Sequence, residues 1–492
     1  MTETIKLAAG RTFRSLHIPN YRRYFIAQII SMTGTWLQSV AQIWLVLSIT
    51  GSAVALGITS ALQFAPMLLF GAWGGVLADR FDKRKILIIT QALAAIIALI
   101  LGVLTVTGVV TLWMVYVLTA LWGLVIMVDN PTRQSFVSEL VDAEHLSNAV
   151  GLNSTVINSA RTAGPAIAGI LISTVGVGIC FLLNAVSYIA VIGALARMDV
   201  QSLRRTALVG RKKGQLREGF RYAWGNPVLR STLLLVAVVG TLAFNFRIFM
   251  PLLAAKVFSG NAATFGALSA MMGVGTIFGA LGAAASSKPT RKLLLASALA
   301  FGTFLMVVAF APTLTWAMVA IVPMGAASVV FASTANSTLQ METAPAMRGR
   351  VMALFGVVFL GSTPIGGPLM GYVAEHMGTR AALAIAGAVT LIAAIFALRK
   401  RLRSEAAGAL KKAGTTLSTR RDGRRPTSGR LGARAQEKSA GRLGARAQGK
   451  GEGRRSTPRS RSLGLRKTRR SEEVPERRPD HHSSSSSSSR QR

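Results

Sequence analysis

The sequence predicts an all-α membrane protein: twelve transmembrane helices in two six-helix halves, with the N and C termini cytoplasmic. Three observations predict it. First, 51% of the 492 residues are hydrophobic and 15% charged, with a mean hydropathy of +0.45, whereas a soluble domain carries about 25% charged residues. Second, the charges are unevenly spread. Residues 399–492 hold 28 Lys and Arg and 8 Asp and Glu, which leaves 28 and 11 for the 398 residues before them. Third, basic residues gather in alternate connections between long apolar runs, the pattern left by retention of positive charge on the cytoplasmic side.

A bilayer core takes about 20 apolar residues per helix. Apolar runs fall at 23–47, 53–77, 86–107, 112–129, 146–175 and 179–197, and then at 228–250, 264–284, 293–311, 314–334, 351–376 and 380–398. The first run is too long for the apolar stretch of a cleavable signal peptide, so it reads as a span. The chain thus divides into a cytoplasmic N-terminal segment (1–22), a first six-helix half (23–197), a basic cytoplasmic linker (198–227), a second six-helix half (228–398) and a basic low-complexity tail (399–492). Lys6, Arg11, Arg14, Arg22 and Arg23 precede the first run, and Arg80, Lys83, Arg84 and Lys85 follow the second. The linker is basic, as are the connections holding Lys288, Arg291 and Lys292 and then Arg348 and Arg350. The intervening connections near Thr50, Gly108 and Gly176 carry no Lys or Arg.

An internal repeat supports the division. A shift of 202 residues lays Gly164, Gly169 and Gly176 over Gly366, Gly371 and Gly378. Pro165 accompanies the first glycine of one set, and Gly367 and Pro368 that of the other. Glycines and prolines so placed predict helix hinges and close helix packing at Gly164, Pro165, Gly169, Gly366, Gly367, Pro368 and Gly371.

Between the second and third spans the chain reads Gly75-Val-Leu-Ala-Asp79-Arg80-Phe-Asp82-Lys83-Arg84-Lys85. This resembles the loop signature of the major facilitator superfamily, departing from it at Asp82 and Lys83. The second half keeps the glycine and the basic end at Gly282 to Lys292 but has Ser286 and Ser287 in place of the Asp-Arg pair. Further stretches resemble the enterobactin-exporter-like, or transmembrane secretion effector, branch of bacterial efflux carriers. They are Pro19 to Phe25, Gly34 to Gln38, Asn130 to Phe136 and Ala160 to Pro165.

The resemblance implies the major facilitator fold and a gating role for Gly75, Asp79, Arg80, Lys83, Arg84 and Asp129. Asp79 is expected to accept hydrogen bonds at the N-terminus of span 11, where the helix dipole favours a negative charge. Lys83 is expected to pair with Asp129 at the cytoplasmic end of span 4. The implied activity is secondary active export of a small amphipathic molecule, a siderophore or a drug, across the bacterial inner membrane by alternating access with proton antiport. An importer of the same fold remains open as an alternative. So does a non-transporting receptor or scaffold acting through its basic tail.

Ionisable and polar groups at mid-span are costly and point to function. Ser154, Asn158 and Arg161 recur at i, i+4 and i+7, on one helix face. Gln28, Ser31, Thr35, Gln38 and Gln42 form a similar seam on span 1, with Trp36 beside it. Both stripes are expected to line a substrate cavity, with interhelical hydrogen bonding the plainer alternative. Proton exchange in the resembled family commonly uses an arginine in span 4 and an acid in span 1. The run 112–129 holds no Arg or Lys and span 1 no acid, so Asp129 is left as the titratable carrier.

No metal or cofactor is expected, and no catalytic motif is present. Gly444 to Lys450 imitates a phosphate loop, but Gly451 stands where Ser or Thr is needed. The tail repeats Gly429 to Gln436 at Gly441 to Gln448, and its composition predicts disorder. Anionic lipid headgroups suit its charge. Without interleaved aromatic residues it is not expected to recognise nucleic acid. The expected partners are therefore a small-molecule substrate and the bilayer, with the protein a monomer.

Overall fold

In the computed structural model the described residues are 13–204, 215–285 and 290–422. A 3-10 turn, Arg14–His17, leads into six helices: α1 Pro19–Thr50, α2 Ala53–Arg80, α3 Lys83–Val106, α4 Leu112–Leu140, α5 Ala143–Val175 and α6 Val177–Ala196. A short helix, α7 Gln215–Gly225, follows the linker. Then come α8 Pro227–Leu242, α9 Phe246–Leu252 with a π turn at Leu253–Val257, α10 Ala262–Ala285, α11 Arg291–Ala309, α12 Leu314–Glu342, α13 Arg348–Met377 and α14 Thr379–Asp422.

Ten helical segments among the described residues are long and apolar enough to cross a membrane. α1 and α5 are not among the ten, although they run to 32 and 33 residues. They carry the polar stripes, which lower their hydropathy. The outer faces fit a lipid environment: Ile89, Leu93, Ile96, Ile100 and Val103, spaced by four and three on α3, are all exposed.

Several expected boundaries move. α4 continues to Leu140 rather than ending at Asp129. The run 228–250 is broken at 243–245, where Asn245 Nδ2 donates to the freed carbonyls of Thr241 (2.6 Å) and Leu242 (3.2 Å). Phe244 fills the break among the rings of Phe246, Phe301, Phe331 and Phe359, with centroids 5.2 to 6.3 Å away. α14 runs past Leu398 to Asp422, so disorder does not begin at residue 399. The segment 399–413 is rich in Ala, Leu, Lys and Arg, which are strong helix formers. The chain divides into two units at Lys412, and the tail from residue 423 on lies outside the described residues. The linker is helical at α7, and 205–214 lie outside the described residues.

One end of the molecule is tied together by basic groups. Arg84 donates to the last carbonyls of α6, Leu195 (2.6 Å) and Ala196 (3.1 Å), where a cation also suits the helix dipole. Arg23 donates to Arg197 O (2.8 Å), Arg204 pairs with Asp142, and Arg350 pairs with Glu218 of α7. Residues 13–22 are docked rather than loose. Ser15 binds Asn148 and the His145 carbonyl, and Asn20 binds the Asp199 carbonyl. This is the basic end. At the other, distal end, the chain turns at Gly51, Gly108, Gly176 and Gly378, all with positive φ of 62° to 89°.

α3 packs on α6, α2 on α4, and α1 on α5 and α6. In the second part of the chain α10 packs on α12, α12 on α11, and α8 on α13. Between the two parts, α2 packs on α13 and α5 on α10. The glycines related by 202 residues hold matching positions. Gly164 meets α1 at Trp36, and Gly366 meets α8 at Thr241. Gly169 meets α10 at Gly266, and Gly371 meets α2 at Ala53. Gly176 and Gly378 turn the chain at φ 86° and 89°. Each close approach is one that a Cβ would obstruct.

Candidate functional site

The polar seam of α1 is turned toward α4 and α6. Gln28, Ser31, Gln38 and Gln42 are each at most 1% exposed. Gln42 Nε2 donates to Thr119 Oγ1 of α4 (2.5 Å), and Gln38 Oε1 accepts from Asn184 Nδ2 of α6 (2.6 Å). Gln28 Nε2 donates to the Tyr24 hydroxyl (2.5 Å), and its Oε1 accepts from Arg133 of α4. Thr35 donates to the Ser31 carbonyl (2.8 Å), and Ser31 Oγ has no partner among the described residues. These glutamines hold helices together, which corrects the expectation that they line a cavity. A spacing of three and four shows that residues share a face but leaves open what the face meets.

Asp129 lies at the centre of that network. Its Oδ1 accepts from Thr90 Oγ1 (2.7 Å) and Gln91 Nε2 (2.9 Å) of α3, and its Oδ2 from Arg133 Nε (2.9 Å) and Nη2 (2.7 Å). Both charged side chains are under 10% exposed. A buried carboxylate and guanidinium one helical turn apart neutralise each other, so α4 stays helical through them. The run 112–129 was cut at its first acid and so excluded Arg133, which belongs to the same helix. The absence of an arginine from span 4 is thereby corrected.

The expected pair of Lys83 with Asp129 is also corrected. Lys83 Nζ pairs with Glu139, with side-chain exposures of 11% and 9%. Glu139 stands ten residues beyond Asp129, about 15 Å along the helix, at the basic end where α3 begins. The pair joins the start of α3 to the end of α4. Gly75 is buried and Arg80 exposed in the last turns of α2. The side chain of Asp79 lies outside the described residues.

The second stripe has a different environment. Ser154, Asn158 and Arg161 are exposed on α5. Ser154 and Asn158 bond only along their own helix, and Arg161 has no hydrogen-bond or ion-pair partner among the described residues. At about 100° per residue, Arg161 stands about 60° from Gly164, which packs on Trp36 of α1, and about 100° from Thr162, which packs on Gly273 of α10. The stripe therefore opens between α1 and α10. Further toward the distal end the same face carries Pro165, Gly169 and Ile172, all buried.

α1 repeats this pattern. Ile26 and Ile30 are 54% and 49% exposed and Thr33 is half-buried, while Trp44, on the same face further along, stacks on Phe265 of α10 with centroids 6.2 Å apart. The two faces bound a cleft that is open toward the basic end and closed distally. Trp36 sits at the α1–α5 contact, half-buried.

Close backbone contacts make the distal floor. A Cβ on Gly57 would stand 2.5 Å from the Gly367 carbonyl oxygen, and one on Gly371 would stand 2.5 Å from that of Ala53. Pro368 Cα lies at the same α2–α13 crossing. The Glu375 carboxylate of α13 accepts from the Ala53 N–H (2.5 Å), the first residue of α2, where the dipole favours an anion. Arg247 bridges the two parts just above the floor. Its Nη2 donates to Gln63 Oε1 (2.8 Å), its guanidinium lies 5.7 Å from the Phe64 ring centroid, and its Nε is buried without a partner among the described residues. Arg133, Glu139 and Arg247 are functional candidates that the sequence reading does not single out. Arg133 and Glu139 would be found by continuing the register of α4 past Asp129, whereas Arg247 already lies inside the run 228–250.

Known proteins share this architecture. A bacterial homologue of the human lysosomal transporter Spinster, solved in an inward-facing unoccupied conformation, superposes with a TM-score of 0.60 at 15% identity, covering 77% of this chain and 95% of that one. A POT family transporter in complex with a thioalcohol-conjugated peptide gives 0.62 at 11% identity, covering 78% and 96%. In sequence, the chain is 29% identical over 262 residues to the staphyloferrin A transporter of Staphylococcus aureus, 52% of this chain and 65% of that protein. It is 28% identical over 400 residues to the multidrug efflux pump Tap of Mycolicibacterium fortuitum, 77% and 95% of the two lengths. It is 24% identical over 380 residues to macrolide efflux protein A of Streptococcus pyogenes, 75% and 92%. The transmembrane secretion effector profile matches residues 11–417. With its many apolar helices and its loop signature, the chain is a multi-pass membrane transporter rather than an enzyme, and it belongs to the transmembrane secretion effector family of the major facilitator superfamily.

Proposed function

We propose that this protein exports a small amphipathic molecule, a siderophore or a drug, across the bacterial inner membrane by alternating access. Twelve helices cross the membrane in two six-helix bundles: α1 and α5 count as spans alongside the ten apolar ones, their polar faces turned away from lipid. The basic end is cytoplasmic because Lys and Arg concentrate there, which puts both termini in the cytoplasm. The observation that carries the reading is the cleft. The same faces of α1 and α5 are open at the basic end and buried distally, which is one of the two states an alternating-access carrier needs. The names of the relatives supply the cargo classes.

Export is coupled to proton entry, with Asp129 the exchanging carboxylate and Arg133 its fixed partner. When the cleft opens outward, the basic end closes. Asp79 then accepts hydrogen bonds from the start of α13, next to the Lys83–Glu139 pair. The carrier acts as a monomer, with the basic tail near anionic headgroups.

The test is accumulation of labelled siderophores and antibiotics in inverted membrane vesicles with an acidified lumen. Antiport predicts uptake that rises with the imposed gradient and collapses with a protonophore. Absence of gradient-dependent uptake for every compound tested would refute the carrier reading.

A further inference from the structure

We infer that the cleft takes an amphipathic anion, its acid group held between Arg161 and Arg247 and its apolar body lying on α1. The inference rests on the carrier reading above and specifies its cargo. Away from the ends of α1 to α6, of the segment Pro227–Val257 and of α10 to α13, the described residues include four Asp, Glu, Lys or Arg side chains: Asp129, Arg133, Arg161 and Arg247. Asp129 and Arg133 are consumed by each other inside the first half. Arg161 and Arg247 remain, and neither has an acid partner among the described residues. Arg247 has only the neutral Gln63 amide and leaves its buried Nε–H unmet.

Their heights match. Arg161 is eight residues from Gly169, and Gln63, which accepts from Arg247, is six from Gly57, so Arg161 and the partner of Arg247 stand about 12 Å and about 9 Å along their helices from those glycines. Arg161 lies on the first half and Arg247 on the second, so a ligand touching both spans the surfaces that must rock apart.

Two guanidinium groups without an acid partner repel a cation, and a neutral molecule offers the buried Nε–H of Arg247 only an uncharged acceptor, a weaker bond than an anion makes. A carboxylate, sulfonate or catecholate oxygen answers both needs and suits the planar fork of arginine. The wall opposite Arg161 is apolar, with Ile26 and Ile30 exposed on it, and Phe64 lies under Arg247. A purely polar anion leaves that wall wetted, whereas an anion with an apolar or aromatic body covers it.

The experiment uses the full chain in proteoliposomes under a pH gradient, with two dyes built on the same xanthene ring: carboxyfluorescein, an anion, and rhodamine 123, a cation. Carboxyfluorescein should be carried at least about tenfold faster than rhodamine 123. Arg161→Gln and Arg247→Gln should each lower its flux about tenfold, the size expected for losing one charge-assisted hydrogen bond. Arg161→Lys should keep most of it. Arg161→Glu, at an exposed position that leaves packing intact, should turn the preference toward rhodamine 123.

A wild-type preference for rhodamine 123, or full carboxyfluorescein flux in both glutamine variants, overturns the anion site while leaving the carrier standing. Failure of both dyes alongside gradient-driven uptake of the siderophore or antibiotic panel also overturns the anion site alone. Failure of every compound removes the carrier reading as well.

Discussion

Lys83 and Glu139 are nearly buried and depend on each other. Removing one leaves the other charged and desolvated, a situation that costs about 3 kcal/mol or more. Glu139→Gln should therefore lower the thermal unfolding temperature of the purified protein by several degrees, and the exchange Lys83→Glu with Glu139→Lys should restore much of it. An equal loss in Asp129→Asn that is rescued by changing Lys83 would instead favour the pairing expected from sequence. Asp129 is predicted to act differently. Asp129→Asn keeps an acceptor for Thr90 and Gln91 but removes the carboxylate proposed above to exchange the proton. It should cut uptake driven by a pH gradient at least about tenfold while leaving exchange of cargo without a gradient measurable. Uptake that still follows the gradient in this variant would exclude Asp129 as the coupling group.

At the scale of the helix, small residues set which neighbours touch. Gly164 of α5 lies against Trp36, so a Cβ there would stand 2.5 Å from the Trp36 Cβ, whereas a Cβ at Gly151 on the same helix meets nothing within 4 Å. Gly164→Val should push α5 from α1 and cost about 1–3 kcal/mol in thermal unfolding. Gly151→Val should be close to neutral. Similar losses for both would show that helix propensity, not the α1–α5 contact, governs the site. The glutamine seam belongs to this scale as well. Its period of three and four was legible in the sequence as a polar face on α1. Its direction was not, because a helix reads the same from outside whichever neighbour it turns toward. Only Thr119, Asn184 and Arg133 on the facing helices reveal that the face is an interhelical joint.

For the molecule as a whole, the distal floor is predicted to set which end of the cleft is open. α2 and α13 can approach there because Gly57 and Gly367 lack side chains, and Glu375 ties the start of α2 to α13. Gly57→Leu should prop the floor apart and favour the outward-open form. In a Cys180→Ala background, a cysteine replacing the buried Ser60 reports this directly. Its reaction with an impermeant maleimide added from the distal side should accelerate at least about fivefold in Gly57→Leu. Glu375→Gln, which removes a charge–dipole contact of about 0.3–1 kcal/mol, should accelerate it about two- to fivefold. Unchanged labelling in both variants would mean that the floor is not a gate.

Hydropathy, charge and glycine spacing are properties of a line of residues, and they determined what can be read along a line. From them alone came the membrane class, the order of the apolar helices, the basic connections and the three glycine pairs 202 residues apart. The tertiary structure decided partners and directions. It placed Glu139 rather than Asp129 opposite Lys83, because α4 runs on past its first acid once Arg133 compensates that charge. It turned the α1 glutamines inward and the Arg161 stripe toward the cleft. It also closed one end and not the other. These outcomes depend on which faces of separate helices meet, and packing between residues dozens of positions apart leaves no periodic trace in either stretch of sequence.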